Sequence, residues 1–301
     1  MFAKVIVNPV AGAGRTAKKW PQIMGLLRSL GLRFQYDLTE APGHAIELAR
    51  LAAGEGYELV VSVGGDGTIN EVVNGLYNAG RIGEVTLGII STGAGSDYVR
   101  TIGIPRRFEE ACRCLVNPQN LGVDVGVVQY VTNRQTLERL FVNFAGLGFD
   151  AEVVKATTRR FKALGSLPSY LLGLLTTFLF YNNREVSLVV DGKTEERKVC
   201  TILVSNGRYG GGGMLAAPNA DPTDGLFDVL IIDDLSKLDL LWSLSRVYKG
   251  THLTHPKVTV KRGREIDIVP SQQTWVQADG ELLGEAPARF YILPTRLKVA
   301  I

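Results

Sequence analysis

The sequence predicts a chain of two unlike parts: a three-layer α/β domain on a parallel sheet, followed by a β-rich sandwich domain with helical inserts. Three observations predict it. The chain is 301 residues long, about twice the roughly 150 of a typical domain. Its first part alternates short apolar runs with segments of helical spacing, the pattern of a parallel sheet covered on both faces. From about residue 121 that rhythm gives way to short strands separated by turn signals such as Asp191-Gly192 and Arg262-Gly263.

In the first part, 2–7, 33–38, 59–63 and 86–90 read as strands. Segments 16–30, 44–53, 68–77 and 106–116 read as helices between them. The second part contains nine strand-like runs, from GVDVGVVQYV to RFYILP, interrupted by helical inserts around 151–181 and 236–249. The closing run LKVAI has the character of a strand returning to the first sheet. The expected boundaries are therefore 1–122, 123–295 and a return strand in 296–301.

Composition narrows the function classes. Hydrophobic residues make up 46% and charged residues 21% of the chain, which supports a packed core. A net charge of +3 is too slight for nucleic-acid binding. Cys112, Cys114 and Cys200 are too few and scattered for a disulfide framework, and the N-terminus lacks the apolar core of a signal peptide. A reduced, cytoplasmic protein is expected. One segment stands apart: no charged residue occurs between Lys162 and Arg184. Its apolar run has three readings: a membrane span, a buried core helix, or a helix lining an apolar substrate site. Arg159, Arg160 and Lys162 precede it, as at a phospholipid headgroup plane or a solvated helix end.

The 34 glycines cluster in loops that follow predicted strands, where open α/β sheets place ligands. The first, NPVAGAGRTA, carries Gly12-x-Gly14 with Arg15 and Lys18 beside it, charges suited to phosphate. The second, VGGDGTINEV, has glycines whose amides can converge on an anion before a helix N-terminus. Asp66 in that turn is unfavourable next to bare phosphate, so the turn suits a magnesium–nucleotide complex. No Walker A sequence is present, which excludes a P-loop nucleotidase. His44, His252 and His255 have structural or solvated settings.

These residues carry a resemblance. Asn8-Pro9 with Gly12, the Gly64-Gly65-Asp66-Gly67-Thr68 turn and Asn70-Glu71 resemble the diacylglycerol kinase catalytic domain family, a group including sphingosine kinases and distantly similar to NAD kinases and phosphofructokinases. The resemblance runs along nearly the whole chain, through STGAGSDYVR, VDVG, NFAGLGFDAEV, SNGRYGGGGMLAAPNADPTDGLFDV and ADGE. It implies an N-terminal fold like that of NAD kinase and phosphofructokinase, with ATP and Mg²⁺ as cofactors. It further implies that nucleotide lies between the two domains, at Asn8, Pro9, Gly12, Arg15, Thr39, Gly64, Gly65, Asp66, Gly67, Thr68, Asn70, Ala94 and Asp97. Ala94 and Ser96 depart from the family pattern, which has a threonine and an asparagine there.

The remaining site residues follow in the same way. On a strand, Asp279 and Glu281 of ADGE would project to one side. The resemblance makes Glu281 the general base that accepts the proton of a lipid hydroxyl. Asp66 and Asp124 are the candidates for orienting the catalytic Mg²⁺. The resemblance also implies a structural Mg²⁺ held by Asp224 and by main-chain oxygens near Asp221 and Leu226. The function implied is transfer of the γ-phosphate of ATP to a lipid alcohol, foremost diacylglycerol. The alternatives are phosphatidylglycerol, a sphingoid base or NAD as acceptor, or a weakly active regulator that binds nucleotide or lipid. The expected partner is a lipid substrate met peripherally at the membrane surface, with a homodimer as a further expectation and no nucleic acid.

Overall fold

The structure is a computed structural model that describes residues 2–159 and 166–301. Arg160 and Lys162 lie outside the described residues, as does the side chain of Arg159. The chain divides into two compact units. Unit 1 comprises 1–125, 211–213 and 293–301; unit 2 comprises 126–210 and 214–292.

Unit 1 contains strands β1 (Phe2–Val7), β2 (Arg33–Leu38), β3 (Leu59–Gly64), β4 (Thr86–Ser91) and β5 (Asn120–Val123). Its helices are α1 (Ala11–Ser29), α2 (His44–Gly54), α3 (Asp66–Asn78), α4 (Asp97–Ile102) and α5 (Phe108–Cys114). The sheet order is β2-β1-β3-β4, continued by β16 (Leu297–Ala300) and then β5. Strands β1 to β4 are mutually parallel; β16 runs parallel to β4 and antiparallel to β5. Every residue of β3 and β4 is buried, as a central strand covered on both faces must be. The edge strand β2, with the sequence RFQYDL, is mostly exposed. Helix α1 packs with α5, and α2 with α3. A Cβ on Gly75 of α3 would lie 2.3 Å from the Ile46 carbonyl oxygen of α2, so glycine allows those two helices their close crossing.

Unit 2 contains β6 (Gly126–Thr132), β7 (Gln135–Phe141), β8 (Phe144–Gly148), α6 (Phe149–Arg159), α7 (Ser166–Phe180), β9 (Arg184–Val190) and β10 (Lys193–Ser205). It continues with β11 (Phe227–Asp233), α8 (Lys237–Val247), β12 (Val258–Gly263), β13 (Glu265–Pro270), β14 (Trp275–Ala278) and β15 (Glu281–Ile292). Its strand pairs are antiparallel, as the turn signals predict. The sequence suggests a sandwich; the pairing closes six strands into a barrel, β8-β14-β15-β13-β9-β10 and back to β8. The remaining strands extend from it, β11 and β12 beside β10, β6 and β7 beside β15. The long strand β10 makes closure possible, because its first half pairs with β9 and its second half with β8 and β11.

The larger core of unit 2 consists of aliphatic residues around Phe141, Phe227 and Phe290, all fully buried. The Phe141 and Phe227 rings stack at 5.5 Å, and Phe290 meets Phe141 edge-on at 6.4 Å. A smaller core of Phe149, Val153, Cys200 and Leu235 is covered by Leu174 and Phe178 of α7 and by Tyr181. Burial pushes the Cys112 and Cys200 thiols up to about 12, so both are inert packing residues. Among the described residues, no helix is long and apolar enough to cross a membrane. The Phe141→Ala variant, which removes the ring that touches both Phe227 and Phe290, should lose about 3–5 kcal/mol in denaturant titration followed by far-UV circular dichroism.

Candidate active site

Three turns gather at the C-terminal ends of β1, β3 and β4, and contact between backbones holds them together. A Cβ on Gly93 would stand 2.5 Å from Gly65 Cα, and one on Gly12 2.5 Å from the Thr92 carbonyl oxygen. Only glycine permits such approaches. The amides of Thr92 and Gly93 both donate to the Gly64 carbonyl, at 2.8 and 3.1 Å. Asn8 Nδ2 donates to Thr68 Oγ1 at 3.0 Å, tying the first turn to the start of α3, where Gly67 is exposed. Next to it, the Pro9 carbonyl accepts the Ala17 amide at 3.3 Å. The buried hydroxyls of Thr16 and Thr92 lie 2.5 Å apart. Thr39, also buried, donates its amide to the Val7 carbonyl at 2.8 Å.

Across these turns lies the exposed side chain of Arg15. Its Nε donates to the Gly12 carbonyl at 3.0 Å and its Nη2 to the Gly93 carbonyl at 3.2 Å. Gly12, Ala13 and Gly14 are all left-handed, which delays the regular part of α1 to Arg15. Ala94 is exposed in the third turn. Ser96, at φ 56°, is buried with its hydroxyl 2.7 Å from that of Ser91. Left-handed backbone favours asparagine over serine, which gives a conformational reason for the asparagine of the family pattern.

The acidic groups divide by what they touch. Asp66 accepts the amides of Asp97 at 3.2 Å and Tyr98 at 3.0 Å, so it caps α4. Asp97 is 4% exposed; its Oδ2 accepts the Gly212 amide at 2.8 Å, while its buried Oδ1 has no partner. A Cβ on Gly95 would be 3.0 Å from Asp66 Oδ2 and 3.2 Å from Asp97 Oδ2, so both carboxylates flank one point. Burial is the main cause pushing the Asp97 carboxyl above its ordinary value; the Asp66 charge adds to it, while the Gly212 amide and Arg100 oppose it. Two adjacent carboxylates, one with an orphaned buried oxygen, fit a divalent cation. The structure thus sets Asp97 beside Asp66, and holds Asp124, equally buried, against Arg296 Nε at 2.9 Å. Glu71 serves the fold, accepting the amides of Gly43 and Ala45 at the start of α2. Asn70 is buried and accepts from Asn74 Nδ2 at 3.0 Å.

In unit 2, the expectation that Asp279 and Glu281 share one side of a strand is corrected. Asp279 and Gly280 have φ of 47° and 83° and form the tight turn joining β14 to β15. The Asp279 carboxylate turns back and accepts three amides, those of Val142, Asn143 and Phe144, at 2.8, 2.9 and 3.1 Å. Glu281 begins β15 with its side chain 40% exposed and accepts from Arg139 Nη2 at 2.8 Å. Behind the turn, Gln277 Oε1 accepts the Gly280 amide and its Nε2 donates to Asp150 Oδ2 at 2.8 Å. Asp150 also accepts from Thr201 Oγ1 at 2.5 Å, and burial raises its carboxyl well above the usual range. Sequence reasoning missed Arg139, Asp150 and Gln277. Only Asp150 lay in a resembling segment, NFAGLGFDAEV; Arg139 and Gln277 carried no signal, because their partners Glu281 and Asp150 are 142 and 127 positions away.

The aspartate-rich loop after β10 is closed by its own bonds. Asp221 Oδ1 accepts the Thr223 amide and hydroxyl, and the Thr223 hydroxyl holds its carboxyl below the usual range. Asp224 accepts the Leu226 amide at 2.9 Å and pairs with Arg262. Beside them Asp228 is 3% exposed, with an Oδ2 that has no hydrogen-bond partner and stands 3.8 Å from Arg262 Nε, so Asp224 and Asp228 share one guanidinium. Among the described residues, no group of three or more His, Cys, Asp or Glu side chains is placed to hold a metal.

The Asp97 setting has a measurable sign. Its carboxyl is raised in the folded state above 3.8, so the folded protein keeps the proton that the unfolded chain releases. Stability is then full at acid pH and falls as pH rises through the folded value. The Asp97→Asn variant mimics the protonated form. In magnesium-free buffer, its Tm minus that of the wild type should grow from pH 4 toward neutrality, as differential scanning calorimetry can show.

With this geometry in view, comparisons with known proteins are informative. Residues 3–128 match the diacylglycerol kinase catalytic domain, and residues 143–301 match the YegS C-terminal NAD kinase beta sandwich-like domain. A protein of Bacillus subtilis named diacylglycerol kinase is 28% identical over 301 residues, covering 99% of this chain and 96% of the relative. The YtlR protein of the same organism is 30% identical over 305 residues, covering 98% and 97%. A crystal structure titled as a diacylglycerol kinase from Bacillus anthracis, 22% identical, superposes with a TM-score of 0.73 over 99% of this chain and 96% of that one, which shows the shared fold. Converging glycine turns, two family matches that succeed one another over 3–128 and 143–301, and a relative at 30% identity lead to one conclusion: the chain belongs to the diacylglycerol kinase family and is a lipid kinase.

Proposed function

We propose that this lipid kinase transfers the γ-phosphate of ATP to the hydroxyl of diacylglycerol, giving phosphatidic acid and ADP, at a membrane surface. The carrying observation is the Asp66–Asp97 pair, with its orphaned oxygen, in glycine turns of which Gly14 and Gly67 have open space where a side chain would stand. Relatives named diacylglycerol kinases at 28% and 26% identity support this choice of lipid.

Unit 1 supplies the nucleotide residues in this reading. Amides at Gly64–Thr68 and around Gly12 face the phosphates, and Arg15 exchanges its carbonyl partners for phosphate oxygens, which suit a guanidinium better. Asp66 and Asp97 would hold Mg²⁺, which when bound neutralises charge on the phosphates. Asp124 is the third acid of this unit, kept in place by Arg296. Unit 2 supplies the base. As the lipid oxygen bonds to the γ-phosphorus, the bond from phosphorus to the bridging oxygen breaks, ADP leaves, and the hydroxyl proton passes to Glu281. Arg139 fixes the direction of that carboxylate, and the triple-amide anchor of Asp279 fixes the turn that carries it.

The test is transfer of label from [γ-³²P]ATP to diacylglycerol, phosphatidylglycerol, sphingosine and NAD in mixed micelles. Diacylglycerol should be the best acceptor, and better phosphorylation of any other would replace the acceptor named here. In the same assay, Glu281→Gln should lower kcat by about 10²–10⁴-fold. An active Glu281→Gln enzyme would remove Glu281 from the role of base. Asp97→Asn should weaken the dependence on magnesium and lower kcat by about 10²-fold, even though it stabilises the metal-free fold.

A further inference from the structure

Four consecutive glycines, Gly210–Gly213, form the longest glycine run in the chain, in the loop between β10 and β11. Their shape is a narrow tongue. Gly210 and Met214 pair antiparallel at its base, exchanging amide-to-carbonyl bonds of 3.0 and 2.9 Å. Farther back, the Ala217 amide donates to the Arg208 carbonyl at 3.2 Å and the Leu215 amide to that of Val247 at 3.0 Å, so both arms are tied down. Gly211, Gly212 and Gly213 make the reversal at φ of 59°, 86° and 109°, three left-handed residues in succession. The base also has a firm footing. A Cβ on Gly210 would stand 1.9 Å from Phe144 Cε1, so this glycine lies against the ring of a residue whose amide Asp279 already holds.

Ordering glycine costs more chain entropy than ordering any other residue, so four in a row need a contact that offsets the cost. That contact is at the tip. By packing, Gly211–Gly213 belong to unit 1, the unit that contains Asp97. The Gly212 amide donates to Asp97 Oδ2 at 2.8 Å, and the Gly213 amide bonds to the same carboxylate. Asp97 is only 4% exposed, and a tip without side chains lets main-chain N–H groups reach it. A Cβ on Gly213 would stand 2.9 Å from Arg100 Nη1, so the tongue also lies against that guanidinium. Asp66 fixes the backbone of Asp97 by accepting its amide at 3.2 Å, while the tongue fixes its side chain. With Oδ2 held, the oxygen left over is Oδ1, buried and without a hydrogen-bond partner. Groups that hydrogen-bond a metal-binding carboxylate typically govern metal affinity by about 10–100-fold.

We propose that the Gly210–Gly213 tongue is a positioning element for Asp97: its amides hold Oδ2, leave Oδ1 to a divalent cation, and thereby set how tightly unit 1 takes up magnesium. This deepens the reading of Asp66 and Asp97 as the magnesium residues and rests on it. The experiment is titration of the full chain with Mn²⁺, a paramagnetic stand-in for Mg²⁺, with free metal read by electron paramagnetic resonance. Gly212→Ala has room for its methyl group, since nothing lies within 4 Å, but alanine resists a φ of 86°. This variant should bind Mn²⁺ about tenfold more weakly. Gly212→Asn, whose new side chain tolerates left-handed backbone, should recover binding to within about threefold of wild type. A loop that served folding alone would lower Tm in EDTA and leave Mn²⁺ affinity unchanged in Gly212→Ala, and that result would overturn the proposal. Should Gly212→Ala fail to fold by circular dichroism, Gly211→Ala, at the milder φ of 59°, is titrated for a loss of about threefold or more. Asp97→Asn tells the two levels apart. One Mn²⁺ lost in Asp97→Asn, with none weakened in the tongue variants, would sink the tongue's role and leave Asp97 a metal residue. Mn²⁺ stoichiometry and affinity unchanged in Asp97→Asn would remove Asp97 from the metal site, and the tongue's role with it.

Discussion

The contact between the Gly65 and Gly93 backbones is the constraint on which unit 1 depends. Two parallel strands end side by side, and their turns can share one hydrogen-bonded knot at the Gly64 carbonyl only if no side chain separates them. Once they touch, Asp66 at the start of α3 is within reach of the α4 amides, and its capping bonds bring Asp97 beside it. The first turn joins through Asn8, Thr16 and Arg15. What results is a surface of main-chain groups and carboxylates rather than a pocket lined by bulky side chains, which is what a polyanionic, metal-complexed ligand requires.

The same reasoning separates acids that serve the fold from acids that await a partner. Glu71 and Asp279 accept amides on both carboxylate oxygens and Asp221 accepts an amide and a hydroxyl on one, and each closes a turn or caps a helix. Asp124 and Asp224 are matched by arginine. Asp97 retains a buried oxygen without a hydrogen-bond partner, and Glu281 is partly exposed and accepts from Arg139. Leaving a carboxylate oxygen buried and unmatched costs stability, and such a cost persists at positions where an external ligand recovers it.

Unit 2 presents the apolar counterpart of that logic. Its larger core packs around three buried phenylalanines, whereas the smaller core is covered by α7, a helix that also carries exposed leucines. Closure of the barrel also positions the β14–β15 turn. Strand β8 pairs with β14, which places the amides of 142–144 where the Asp279 carboxylate can accept them and leaves Glu281 to emerge at the head of β15.

By itself the sequence determined most of the elements and their order, although it showed no sign of α4 and ran β5 into β6 and β7 into β8. Periodicity of 2 and 3.6 marked the strands and helices, and glycine clusters after strands marked the turns, because these are local properties of the backbone. It also determined the family, through segments spread along nearly the whole chain. Tertiary structure alone decided what each acidic residue does. Asp279 and Glu281, two positions apart, take opposite roles because a tight turn lies between them, and a turn reverses the strand alternation on which the expectation relied. Asp97 acquires its raised carboxyl from burial and from the nearby Asp66 charge, neither of which its neighbours in sequence disclose. Arg139 meets Glu281 across 142 positions. Hydrogen-bond partners and burial are set by which distant strands pair, and a one-dimensional pattern of hydrophobic and polar residues does not encode that pairing.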